Sequence, residues 1–167
     1  MLSVPRAIGL AMVNLPEPKV VAFGIVGGVL GTVLMDLVMV TTFVVVGEPA
    51  DAFFAMVGEK LGDGAIVGAV LHNVIGLSGG FVFVLVLGLA SVTVDSKKKG
   101  LAYGIAAGAV TIPLGCIPMA IWLGQPILDV VAFSLFPHLT WGLTLGLTVA
   151  FGVMEYGAYR SDADTAG

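Results

Sequence analysis

Four stretches of the chain run almost without charge: residues 20–46, interrupted only by Asp36, then 64–94, 100–128 and 130–154. Each exceeds the roughly 20 residues with which a helix crosses a bilayer. Backbone in hydrocarbon tolerates only helices or closed barrels, and apolar runs this long and unalternating are not barrel strands. The pattern predicts transmembrane helices over about 20–46, 65–93, 100–123 and 137–156, the last opening at Pro137. In the first connection Ala50, Phe53, Phe54, Val57 and Leu61 fall on one helical face, so a short amphipathic helix is expected on the membrane surface. A second short helix is expected over 126–136. Residues 1–19, with Arg6, Pro16 and Pro18, lack a small-residue cleavage pattern and read as a retained interfacial segment. Residues 157–167 read as a flexible tail.

An internal repeat lies across these spans. Gly24, Ile25 and Gly28 recur 80 residues later as Gly104, Ile105 and Gly108. Gly47-Glu48-Pro49 recurs as Gly124-Gln125-Pro126, and the pattern of His72, Gly76, Leu77 and Gly80 recurs as His138, Gly142, Leu143 and Gly146. The single domain, 20–156, therefore reads as a duplicated two-helix hairpin, with repeats over 20–94 and 100–156. Units with an even number of spans insert the same way round, which places a pseudo-two-fold axis along the membrane normal. The pairs Gly24/Gly28, Gly76/Gly80, Gly104/Gly108 and Gly142/Gly146 have the small-residue spacing that lets helices approach closely in lipid. The other reading of that stripe is room for a flat ligand.

Composition narrows the class. Only 11% of the 167 residues are charged, against about 25% in a soluble domain, which excludes an ordinary soluble enzyme, a disordered chain and a nucleic-acid binder. One cysteine excludes an intrachain disulfide and any multi-cysteine metal cluster. Arg6, Lys19, Lys97, Lys98, Lys99 and Arg160 fall on one side of a four-span topology and Lys60 alone on the other. That asymmetry places both termini in the cytoplasm of a cell-membrane protein. Trp122 and Trp141 then read as an aromatic belt near the outer ends of the third and fourth helices, with Tyr156 and Tyr159 near the inner end of the fourth.

Polar side chains within spans are costly and mark candidate sites. Asp36 lies about 16 Å below the outer end of the first helix, at about 1.5 Å per residue. Its repeat mate is Cys116, and one turn on Met39 matches Met119; His72 is the mate of His138. A helix opening at Pro137 puts His138 near the outer interface. Four readings of Asp36, His72, Cys116, His138, Met39 and Met119 stay open. They are helix-to-helix hydrogen bonding, proton exchange between Asp36 and His72, a copper or haem site, and a lipid-soluble ligand. No P-loop, nucleophile elbow, CxxC or HExxH pattern accompanies them.

The His72 to Gly80 spacing and the run Phe136-Pro137-His138-Leu139-Thr140-Trp141 resemble the YagU-like group of small four-helix inner-membrane proteins, over about residues 20–155. That group usually carries glycine before its second histidine, where this chain has Pro137. The resemblance implies the architecture and lends no reaction. The expected function is a non-enzymatic accessory or oligomeric membrane component, embedded in lipid and working as a homo-oligomer or as a subunit of a larger complex, with a polar intramembrane site. The alternative is a haem- or copper-binding redox subunit, or a small proton-coupled permeation protein.

Overall fold

In the computed structural model residues 16–165 are described, with side chains to Glu155. The expectations for residues 1–15 and for the tail side chains lie outside the described residues. The elements are α1 (Pro18–Val45), α2 (Ala52–Lys60), α3 (Ala65–Leu89), α4 (Lys97–Thr111), a π turn (Ile112–Cys116), α5 (Ile117–Leu123) and α6 (Ile127–Thr165). Four segments are long and apolar enough to cross a bilayer: Pro18–Val45, Ala65–Leu89, Lys97–Leu123 and Ile127–Glu155. The chain has the architecture of a multi-pass integral membrane protein.

α1 starts with Pro18, whose missing N–H costs nothing in a first turn. At their far ends α1 and α5 stop alike, each followed by a left-handed glycine, Gly47 (φ 86°) and Gly124 (φ 73°). Glu48 N–H then reaches back to the Phe43 carbonyl, and Gln125 N–H to that of Ala120, satisfying carbonyls the helix leaves open. Hydroxyls inside the spans find acceptors one turn back, as Thr32 does on Gly28 and Thr148 on Thr144, which spares these groups a bare exposure to lipid.

The helices pack in the order α3, α1, α6, α4; α3 and α4 share no substantial packing. Small residues set the close approaches. A methyl group added at Gly24 would lie 2.8 Å from the Gly80 carbonyl oxygen, and one at Gly28 2.9 Å from that of Gly76. Across α4 and α6, methyl groups at Gly104, Gly146 and Gly108 would fall onto the carbonyl oxygens of Gly142, Gly100 and His138. The glycine stripe is thus occupied by neighbouring backbone. α2 seats on α3 in the same way, through Gly58 against the Gly64 carbonyl and Gly68 against that of Phe54. Val84, Leu145 and Val149 fill the centre.

Two sequence expectations change here. α6 does not open at Pro137. It begins at Ile127 and passes through that proline, so the short helix expected over 126–136 is its first part. Pro137 has no N–H for the turn before it, yet its ring is fully buried. On either side of it, side chains bond carbonyls one turn back: His138 Nδ1 lies 2.9 Å from the Ser134 oxygen, and Thr140 donates to Phe136 at 3.0 Å. Apolar packing along the buried ring makes up for the lost bond. The third span is also not uniform. Pro113 lies within a π turn and Pro118 follows just after it; the turn is closed by the Ile117 N–H on the Ile112 carbonyl. The extra residue re-aims α5.

Candidate functional site

The end of the bundle that carries α2 encloses a cavity of about 490 Å³ between α1, α3, the π turn, α5 and the first half of α6. It lies where α3 and the third span fail to pack. Its walls are mainly apolar and aromatic, with Phe43, Phe53, Phe133 and Trp141. Cys116, Met35, Met39, Met56 and Met119 bring sulfur to it. Five of the chain's eight sulfur-bearing residues therefore face one space, a softer donor set than an ordinary apolar core supplies.

His72 and His138 both line this cavity, from α3 and α6. His138 stands about 16 Å below the start of α6, eleven residues on, and not near the interface as expected with Pro137 as the first residue. The continuous helix carries it down. Asp36 lies behind His72: Asp36 Oδ1 is 2.8 Å from His72 Nδ1, and neither buried atom has another polar partner. Asn73 donates from Nδ2 to Asp36 Oδ2 at 3.2 Å and to the Ala69 carbonyl at 2.9 Å. The pair is covered from α2, where Phe53 and Phe54 rest at 5.3 and 5.8 Å from the imidazole centre. A carboxylate in hydrocarbon needs such a partner.

The second pair is neutral in kind. Cys116 Sγ lies 3.6 Å from His138 Nε2. A carbonyl only accepts, so the Ser134 contact fixes the proton of neutral His138 on Nδ1, and the sulfur stands almost equally near both ring nitrogens, 3.9 Å from Nδ1. Asp36, His72, Cys116 and His138 thus form two pairs, each within one hairpin. Met39 and Met119 face the shared cavity. Among the described residues no three His, Cys, Asp or Glu side chains converge as a metal site.

Trp141 departs most from its expected place. It is 4% exposed and forms part of the cavity wall instead of a belt at the interface. Its indole reaches from α6 past α1 to α3: methyl groups on Gly31 and on Gly79 would each come within 2.9 Å of the ring. Nε1 is buried without a partner. Glycines 31 and 79 stand outside the paired stripe, and that surplus is the signal by which a large neighbour could have been found. Trp122, 42% exposed, keeps a position suited to the interface. No family model, no curated protein and no solved structure matches this chain.

Proposed function

We infer that the chain is a non-enzymatic membrane protein whose cavity holds a flat, lipid-soluble molecule bearing an oxygen acceptor, a molecule of the quinone class. The observation that carries this reading is the indole N–H of Trp141, buried and unpaired at the wall of an apolar, aromatic cavity. An unmade hydrogen bond at a buried donor costs about 1–3 kcal/mol, which a bound carbonyl recovers. The unpacked side between α3 and the third span supplies an approach from lipid. With Trp122 replaced by Phe, Trp141 is the sole indole. Titration with a short-chain naphthoquinone should then quench its fluorescence saturably. Gly115 borders the cavity and has open space where a Cβ would stand, so Gly115→Leu should abolish saturation in a folded protein. Linear, unsaturable quenching in both forms would overturn this reading.

Topology and assembly belong to the same proposal. Lys97, Lys98 and Lys99 sit at the end away from α2, which favours a cytoplasmic location for that end and for both termini, in the cell membrane. Equivalent pairs in the two hairpins, Asp36 with His72 and Cys116 with His138, together with matching glycine contacts, support descent from a duplicated hairpin with a pseudo-two-fold axis. The YagU-like group has the same anticipated architecture. An accessory role in a homo-oligomer or a larger membrane complex suits a small ligand-holding bundle.

A further inference from the structure

We propose that His72, held by Asp36, is a second hydrogen-bond donor to the cavity ligand, so that the molecule bound there is a flat dione whose two carbonyl oxygens meet His72 Nε2–H and Trp141 Nε1–H. The inference rests on the ligand reading above and names what that ligand must carry. His72 stands in the cavity wall, and its two nitrogens differ. Nδ1 is sealed against Asp36 Oδ1 at 2.8 Å. Nε2 is not among the sealed atoms and has no hydrogen-bond partner among the described residues, so it opens on the space that His72 lines.

Charge decides what Nε2 presents. An oxygen and a nitrogen 2.8 Å apart need a proton between them, since two lone pairs at that distance repel. With that proton alone the pair carries a net negative charge, which hydrocarbon resists. No Lys or Arg lines the cavity to offset it, and the other group on Asp36, the Asn73 amide, is uncharged. The net-neutral pair holds one proton more. That proton lies on Nε2 whether the shared one sits nearer the oxygen or the nitrogen, so the imidazole offers Nε2–H to the cavity.

Trp141 offers the other donor. Its ring lies over Gly79 of α3, where an added methyl group would come within 2.9 Å. His72 precedes Gly79 by seven residues, two helical turns on the same side of α3 and roughly 10 Å along it. Both side chains line one cavity, and the distance between them leaves room for a ring system. Two unpaired donors on a wall that is otherwise mainly apolar select a molecule with two acceptors.

The test compares two bicyclic probes in the full-length Trp122→Phe protein in mild detergent: 1,4-naphthoquinone, with two carbonyls, and 1-tetralone, with one. Binding of the first is read from quenching of Trp141, and binding of the second from its displacement of the first. The dione should bind at least about 10-fold tighter, the gain from one further hydrogen bond. Changing Asp36→Asn together with His72→Phe removes the donor without stranding a carboxylate. The preference should then fall below about twofold, while tetralone, whose single carbonyl meets Trp141, keeps its affinity. Equal affinity of the two probes for the unchanged site, or a preference that survives the double change, overturns the inference and leaves the ligand reading in place. Absence of saturable quenching by naphthoquinone overturns both.

Discussion

The two hairpins solve the same packing problem and different electrostatic ones. In both, glycines bring an outer helix against an inner one until backbone meets backbone, and in both a side-chain pair is buried at comparable depth. The first hairpin holds a carboxylate. Its pair takes an amide donor from Asn73 and a separate covering helix, α2, whose own glycine contact presses two phenylalanines over His72. The second hairpin holds a thiol. No covering helix follows α5; the space is used by the π turn and by the proline-bearing start of α6. Both pairs reach the cavity, through His72 and His138, and the first alone carries a covering helix and an amide donor.

The sharpest break of the packing likeness is a bulky residue at the crossing points. Gly80→Leu and Gly142→Leu would each drive a side chain into a carbonyl of the facing helix, Gly24 and Gly104. Each should cost about 3 kcal/mol or more, seen as loss of the folded peak in size-exclusion chromatography and a collapse in detergent melting temperature. Val82→Leu, on the exposed side of α3, should be near neutral. Tolerance at Gly142 with collapse at Gly80 would show that only the first hairpin depends on close approach.

Next in size is the difference between the two pairs. Removing His72 leaves Asp36 buried with one amide donor, and breaking such a pair costs about 3 kcal/mol. His138→Ala removes a neutral contact worth about 1 kcal/mol. Melting temperatures of the single and double variants give both coupling energies. The Asp36→Asn with His72→Ala cycle should show at least about 1 kcal/mol of coupling, and Cys116→Ala with His138→Ala less than half of that. Equal couplings would erase the electrostatic distinction between the hairpins.

The helix-forming part of this comparison is open to view in the sequence, because span length and charge scarcity depend on the bilayer and not on tertiary detail. The depth of Asp36 and His72 comes from counting residues along α1 and α3. Tertiary packing decides the features that escape. A proline inside an apolar run reads as a helix start, and only the surrounding protein makes continuation through Pro137 cheaper than termination. That one misplacement puts His138 and Trp141 near the interface instead of in the cavity wall. The π turn is hidden for a related reason: Pro113 and Pro118 announce a bend, but not whether a residue is inserted. The cavity itself arises from α3 and α4 failing to pack, which no local pattern encodes.

A smaller effect tests the π turn. Pro113→Ala restores an N–H and favours a regular helix, which turns Cys116 by about 100° relative to His138. Stability should change by less than about 1 kcal/mol. Alkylation of Cys116 in detergent should nevertheless rise several-fold as the thiol, now buried, rotates outward. An unchanged rate would mean that Cys116 is placed by α5 packing alone. The first hairpin, with an uninterrupted α1, has no counterpart to this sensitivity.

The smallest effect sets the carboxyl–imidazole pair of α1 and α3 beside an ion pair in water. Between the hairpins Asp95 accepts from Lys99 Nζ at 2.6 Å, four residues away and outside the bundle core. The Lys99 ammonium holds the Asp95 carboxyl below its ordinary value of 3.8. A lowered carboxylate value means that the pair stabilises fully above that ordinary value and loses its contribution as pH falls through the folded one. In solvent both charges are hydrated and screened, so the gain is slight. Asp95→Asn should therefore leave the melting temperature within a degree or so at pH 7. The wild type and variant should converge as pH falls below that ordinary value and through the lowered one, and about 0.5 M salt should remove the difference at pH 7. Asp36→Asn, measured beside it, should keep its larger deficit in the same salt, because ions do not enter the hydrocarbon to replace His72.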